Sequence, residues 1–555
     1  MKIKALLVTL CVCITLFSSA KENKKEKLVK ITYEEYRGGN LVPNKKIVLT
    51  CSNGIVQLSN RSKTKRLFID YNSKTVIKEL NISSEHFKQI TPFSELSEPK
   101  LTDEKETILG YECKKASFII FSNRIDVWYT TETEYKASPS SSVIIENGLI
   151  LKYVSNGNHT IQAKSIDKEK GNMQYPQEGI QEINQARYRE LIIESRYLTI
   201  PIFDKEQINF QNGITNPEDE ILDHTYRFSK GTVIMKKIKL PETKNGGNFF
   251  LKLTNWSNGD AYDRTGCVFT IADDNKKSIL TALKNGLKEL PLYFDNKGTE
   301  YQGVVSTDNY TVPLELMRFF TSFGVGHFNN KRPINNYNWQ DSVVYKQEVT
   351  ELISTNKDEM WIGVFIGNYD NGGHKVSLEL NYYPPFRGYP AQKKVIKPLF
   401  YTLNVMEASG QNYGSMFKND TLTMEFKLDE EIKNPKLLFT TTGHGGWGNG
   451  DEFVPRLNQI FIDDKLVFKH VPWRSDCATY RTSNPASGNF SNGLSSSDLS
   501  RSNWCPATLT NPYYIPLDDL KPGKHIIKVA IDQGDDKGSS FNHWSVSGIL
   551  IGNGN

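Results

Sequence analysis

Seven cysteines in 555 residues, with no CxxC pair among them, leave this chain without the thiolate spacing of a zinc ribbon. No HExxH helix supplies histidines in their place, so neither a metal nor a metal-activated water is expected. A GxSxG elbow, a P-loop and a dinucleotide fingerprint are also missing, which removes serine-hydrolase, nucleotide and NAD chemistry and leaves no cofactor to expect. Charge of one sign is scarce as well. The net charge of +5 is small for this length, and part of it lies in "KENKKEK", a solvated tail. With no basic stripe interleaved with aromatics, nucleic acid is not an expected partner. Long hydrophobic runs are absent after the first twenty residues. The run from Ala5 to Phe17 falls short of the roughly 20 apolar residues that span a bilayer, so no membrane span is expected.

That first run has its own pattern: two early lysines, an apolar centre, and Ser18, Ser19 and Ala20 at its end, as in a cleaved secretory signal. Cleavage after Ala20 would send the chain across the inner membrane to the periplasm, the cell surface or the medium. It would also remove Cys11 and Cys13 and leave Cys51, Cys113, Cys267, Cys477 and Cys505 where disulfides persist. Their number is odd, so one thiol stays unpaired.

Aromatics at 11%, with many Asn, Gly and Tyr, favour a secreted, loop-rich β protein. From Leu28 to about Asp167 the chain reads as successive hairpins. Turns are expected at Ser52-Asn53-Gly54, Asn72-Ser73, Ser122-Asn123 and Asn147-Gly148, between β-branched runs. This predicts an antiparallel meander, with Cys51 and Cys113 as a candidate staple. The stretch Tyr175 to Tyr197, with Ile180, Ile183, Leu191 and Ile192 among helix formers, predicts a connecting helix at a domain boundary. Beyond it, "FFLKLTNW", "HKVSLELNYY", "LTMEFKLDE", "NQIFIDDKLVF" and "KHIIKVAID" alternate. In the last, Ile527, Val529 and Ile531 face one way and Lys528 and Ala530 the other, as in a half-buried strand. A new start after "YYPPFRGYPAQ" divides the region in two. The expected organisation is a signal at 1–20, a hairpin-rich domain with its linker helix at 21–197, and packed sandwiches at 198–389 and 390–555.

Candidate chemistry rests on carboxylates. Asp263, in "NWSNGDAYDRTGCVFTIAD", stands between Tyr262 and Arg264 just before a strand-like run. Glu452 closes the glycine-crowded loop "GHGGWGNGDEF" in the same setting, and carboxylates delivered by such loops are often site residues. Two acids with different neighbours can be tuned apart, one keeping its charge and the other positioning water or holding a proton. Taken singly, the Asp263–Arg264 pair reads equally well as a surface ion pair, and Glu452 as a solvated acid. His444 and His543 read as structural. A third segment gathers Arg501, Trp504 and Cys505, with Trp473 and Cys477 upstream. A Cys477–Cys505 bridge would stabilise the fold by roughly 3 to 4 kcal/mol on the chain-entropy model. It would also draw the two tryptophans together, a surface suited to sugar C–H faces.

These segments carry a resemblance. "GGWGNGDEF…LNQIFID", "PWRSDCATYR…NPASGNF", "GLSSSDLSRSNWCP" and "GSSFNHWSVSGILIG" resemble the second jelly roll of bacterial peptide N-glycosidase F enzymes, and "GDAYDR" resembles the aspartate motif of their first. The similarity runs from about Ile202 to Gly552, and the hairpin-rich extension is similar to the bowl-like domain of the family's second type. The resemblance implies an all-β fold with two adjacent eight-stranded-type antiparallel jelly rolls. It also implies hydrolysis of the amide between asparagine and the first N-acetylglucosamine of an N-glycan, without metal or cofactor, by a monomer acting on N-glycoproteins and N-glycopeptides. Asp263 matches the primary catalytic aspartate and Glu452 the second acid. Tyr262, Arg264, Tyr369, Trp447, Arg501 and Trp504 fall at substrate-facing positions, with Tyr262 in place of a tryptophan. Cys477–Cys505 is the disulfide that carries over. A third family glutamate has no counterpart: "GNY", Gly367 to Tyr369, stands against it, with Asp370 or the extension as candidate substitutes. Read from the residues alone, a non-catalytic glycan-binding protein and a two-carboxylate glycoside hydrolase remain open.

Overall fold

Runs that alternate apolar and polar side chains bury one face of a pleated strand and wet the other, so this chain is bound to build sheets. The computed structural model describes residues 25–554 except 60, 61, 63, 83–84, 243–245, 273–275, 355–356, 386–392, 447–449, 519 and 537–540. The expected signal, residues 1–20, lies outside the described residues. The chain divides into two compact units, Met1–Ser195 and Arg196–Asn555.

In the first unit, twelve strands among the described residues form one sheet of two antiparallel meanders joined where Glu26–Arg37 pairs with His159–Gly171. Asn53 and Gly54, at φ 48° and 77°, make the tight turn expected between Asn40–Ser52 and Ile55–Leu58. The turn at Asn72-Ser73 also forms, between Lys65–Asp70 and Thr75–Ile82. The next sits one residue early, at Phe121-Ser122, since Asn123 already pairs with Ile120.

Three expectations for this unit are corrected. Val143 to Ile145 are buried but form no strand beside Asn147-Gly148. The strand Leu149–Ser155 pairs with Asn123–Thr130 instead, and it turns back at Asn156-Gly157, φ 48° and 67°. Cys51 and Cys113 are free and buried. They lie on strands with four others between them, so neither strand pairing brings the two together. The helix is only Gln185–Glu194, its start fixed by Asn184, whose side chain accepts from the Arg187 N–H at 2.8 Å. Gln181–Glu182 is drawn into a short parallel pairing with Phe87 and Lys88, which leaves Ile180 and Ile183 off the helix. Tyr188 and Leu191 pack on Leu80 and Phe87.

The second unit contains two jelly rolls. The first sets a four-stranded sheet of Leu198–Ile208, His374–Tyr383, Asn248–Ser257 and Ser342–Glu348 against a sheet built around Glu359–Ile366, Thr265–Thr270 and Leu314–Phe320. The second packs Lys394–Tyr401, His543–Asn553, Lys433–His444 and Tyr513–Pro516 against Leu422–Leu428, Gly523–Ile531, Asn458–Ile462 and Lys465–His470. Ile527, Val529 and Ile531 are buried as their period requires.

The jelly rolls share more than a surface. Leu509–Thr510 joins the sheet edge of the first by pairing with Arg318 and Phe319. Leu438, Ala507, Ile549 and Ile551 from the second enter the same core as Leu316, Phe319 and Ile366. Within this seam Arg318 holds Glu315 through two hydrogen bonds of 2.8 Å, and reaches the Ser545 carbonyl and Thr442. A buried pair of this kind fixes geometry more than it adds stability, because desolvation offsets most of its Coulomb attraction. The consequence for function is a rigid mutual placement of the loops at the seam.

Candidate active site

Asp263 sits in the connection from Asn248–Ser257 to Thr265–Thr270, and Asp260 shapes that connection from inside. Asp260, 3% exposed, accepts from the Tyr262 N–H at 3.0 Å and from Arg264 Nε at 2.7 Å. Burial raises its pKa, but His374 and the Arg264 guanidinium beside it hold it down to about 2. Arg264 is thus committed to Asp260 rather than to its neighbour Asp263. With Arg264 N–H also donating to Thr321 at 2.8 Å, the turn presents Asp263 outward.

Glu452 arrives from the other side. Lys433–His444 ends at Gly445, which has φ 132°, and a Cβ on Gly450 would run into the Gly445 carbonyl, so the loop folds back on itself only with glycine at both places. Asp451 then anchors it. Fully buried, it accepts from Trp544 Nε1 at 2.9 Å and Arg456 Nε at 2.7 Å, while its own N–H donates to Asn542. The Glu452 carbonyl accepts from the Ser502 N–H at 2.9 Å, which ties the loop to the segment carrying Arg501.

Arg501 closes the arrangement. Its Nη1 donates to Asp263 Oδ2 at 3.2 Å and to Glu452 Oε1, and its Nη2 donates to the Ser496 carbonyl at 2.7 Å. The guanidinium carbon lies over the Trp504 ring at 4.4 Å and the Phe453 ring at 5.0 Å, and backbone bonds to Arg474 hold its strand segment. Arg501 is 2% exposed, while the acid side chains keep 18% (Asp263) and 13% (Glu452) of their surface. The cation is therefore buried behind two acids that solvent still reaches.

Burial raises the Asp263 carboxyl above the usual range, against the pull of Arg501 and Arg264. Glu452 is pushed up to about 7 by burial and by the Asp263 charge, with Arg501 opposing. Near neutral pH the pair can hold one ionised and one protonated acid, the division that acid–base work needs.

Of the substrate-facing candidates, Tyr262 and Tyr369 are 58% and 55% exposed, and Tyr262 lies against the Arg264 guanidinium. Trp447 lies outside the described residues. Trp504 is corrected: at 3% exposure it is stacked on Phe320 at 4.3 Å, bonded through Nε1 to the Gly443 carbonyl, and capped by Arg501, so it holds the arginine rather than meeting a sugar. No ring contact joins it to Trp473 among the described residues, although Cys477 and Cys505 are bridged. His444 and His543 stack on each other at 4.9 Å, both held neutral by burial. Asp370 spends its Oδ1 on the Gly372 and Gly373 N–H groups. Cys267 is buried against the Tyr401 hydroxyl.

Asp260, Asp451, Ser496 and Phe453 were not singled out by the sequence. Their parts are second-order contacts that no local pattern announces. Roomy cavities of about 720 Å³ and 700 Å³ lie elsewhere, beside Cys51 and Tyr71 and beside Asn212 and Lys230.

Comparison with known proteins follows the same division of the chain. The family description "N-glycanase peptide, N-terminal domain" matches residues 31–190, "Peptide-N-glycosidase F, N terminal" matches 199–382, and "Peptide-N-glycosidase F, C terminal" matches 412–551. A solved structure of PNGF-II in a P21 crystal is 42% identical, covers 96% of this chain and 100% of its own, and has a TM-score of 0.87. A second, in a C2 crystal, is also 42% identical, covers 96% and 99%, and has a TM-score of 0.83. Among curated proteins no match is found. With three consecutive family matches and 42% identity over nearly its whole length, this chain belongs to the peptide-N-glycosidase F family.

Proposed function

We propose that the protein hydrolyses the amide between an asparagine side chain and the first N-acetylglucosamine of N-glycopeptides and N-glycoproteins, with Asp263 and Glu452 as its working acids. The observation that carries this reading is the single Arg501 nitrogen bonded to both, one acid from each jelly roll. An unactivated amide needs an attacking water, a place for the water's proton and a proton for the departing nitrogen. Asp263 is the base that takes the proton as the water oxygen bonds to the carbonyl carbon, with Arg501 and Arg264 opposing the rise that burial gives its carboxyl. Glu452, poised near neutrality, holds the reducing-end sugar and an ordered water beside the nitrogen. When the carbon–nitrogen bond breaks, the departing nitrogen takes up the proton that Asp263 accepted, the peptide keeps an aspartate and the glycan leaves as a glycosylamine, which water then hydrolyses to the free sugar and ammonia. Tyr262 and Tyr369 offer exposed rings to the sugar faces.

Mass spectrometry of a treated glycopeptide tests the reading. A mass gain of about one dalton at the former asparagine supports amide hydrolysis, a retained N-acetylglucosamine means glycosidase action, and no change means binding alone. A monomer, exported on the strength of the leader pattern, belongs to the same proposal. Sedimentation and cell fractionation check these two points and separate periplasm, cell surface and medium.

A further inference from the structure

Gly367 follows the strand Glu359–Ile366 and donates its N–H to the Thr265 carbonyl at 3.1 Å, two residues beyond Asp263. Its backbone is not in the left-handed region, so no conformational need for glycine exists there. Space provides the reason: a Cβ at this position would meet Glu407 Oε1 at 2.8 Å and Phe365 Cζ at 3.3 Å. Glu407 comes from the other jelly roll, in the short helical turn Glu407–Ser409 after the strand Lys394–Tyr401. Its Oε2 accepts from the Tyr413 hydroxyl at 2.9 Å and from Asn404 Nδ2 at 3.3 Å. Oε1 has no hydrogen-bond partner among the described residues, and the residue as a whole is only partly buried. Burial raises the Glu407 carboxyl against Tyr413, Arg264 and Asn404, and Tyr369 is raised by its own partial burial and then by this carboxyl. One oxygen is thus fixed, and the other lies unpartnered against the Gly367 backbone, two residues before Tyr369.

We propose that Glu407 is a third acid of the substrate surface, which accepts a hydroxyl of the bound glycan core through Oε1 from the place that the bare Gly367 backbone leaves open. This rests on the amidase reading only for the identity of the ligand. The second jelly roll then supplies both Glu452 and Glu407, and the first supplies Asp263 and the tyrosines.

A relocated carboxylate gives the test. Glu407→Ala is expected to lower kcat/KM for a glycopeptide by about 10- to 100-fold, mainly through KM, and to weaken chitobiose binding by a similar factor. Adding Gly367→Glu to Glu407→Ala returns a carboxylate to the vacated space from the opposite strand, and should recover at least about tenfold of the loss. Gly367→Glu alone crowds two carboxylates and is expected to impair the enzyme. A purely structural Glu407 would show itself as a lowered Tm that Gly367→Glu does not repair, with KM unchanged. Release and chitobiose affinity within twofold of the wild type in Glu407→Ala and Glu407→Gln, or no rescue by Gly367→Glu in a folded protein, overturns the proposal. If the wild type itself releases no glycan, the amidase reading fails, and calorimetry with chitobiose still decides the part played by Glu407.

Discussion

Asp263 and Glu452 receive hydrogen bonds from the same Nη1 of Arg501 but do not share an electrostatic environment. Asp263 has a second cation nearby, since Arg264 lies next in the chain and opposes the rise that burial gives its carboxyl. Glu452 has no second cation acting on it among the described residues and is raised further by the Asp263 charge. A single guanidinium therefore does not make its partners equivalent. The asymmetry comes from what each loop brings along: the first jelly roll contributes a turn clamped by an Asp260–Arg264 pair, the second a glycine fold-back clamped by Asp451.

Three substitutions press on this difference. Asp263→Asn removes the ionised member and should reduce glycan release by about 10²- to 10⁴-fold with folding retained. Undiminished release would end the assignment of the base. In the same variant Glu452, relieved of a neighbouring charge, should titrate below about 7, which carbon-detected NMR of the carboxyl can follow. Arg501→Met comes next. It strands two part-buried carboxylates and should cost about 3–5 kcal/mol of stability at neutral pH as well as activity. A chemical denaturation curve unchanged from the wild type would mean the arginine is not what keeps the acids together.

Glu452→Gln is the subtler probe. The folded pKa of Glu452, about 7, lies above the 4.5 of a free glutamate, so its contribution to stability is fully present below about pH 4.5 and is lost as pH rises through about 7. The swing is about 3 kcal/mol at most for that displacement. Wild-type Tm should fall relative to Glu452→Gln from about pH 4.5 to about pH 7 and level off above it. Parallel Tm profiles would remove the asymmetry from which this comparison starts.

Much of the architecture was open to reading from local pattern. The alternation in "KHIIKVAID" and the Asn53-Gly54 tip specify strands and a turn through neighbours two or three residues away, and both form as expected. The acids were found because they sit in loops dense with glycine and in segments resembling a known family. Trp504 was misread because an exposed sugar platform and a buried stacking partner for arginine have the same composition. Phe320 and the Gly443 carbonyl, both far away in the chain, turn it inward. The Val143–Ile145 run was misread because three apolar residues can cover a sheet as readily as they can extend one.

By itself, the sequence determined an all-β chain, its hairpin tips and the separate loops that carry Asp263 and Glu452, since these depend on backbone periodicity and turn chemistry. The tertiary structure alone decided that Arg501 meets Asp263 across 238 positions, that Arg264 turns to Asp260, and that Glu407 fills the room beside Gly367. Such contacts follow from the common core and buried ion pair at the seam of the two jelly rolls. Their energies depend on which side chains are excluded from water together, and no stretch of sequence contains that information.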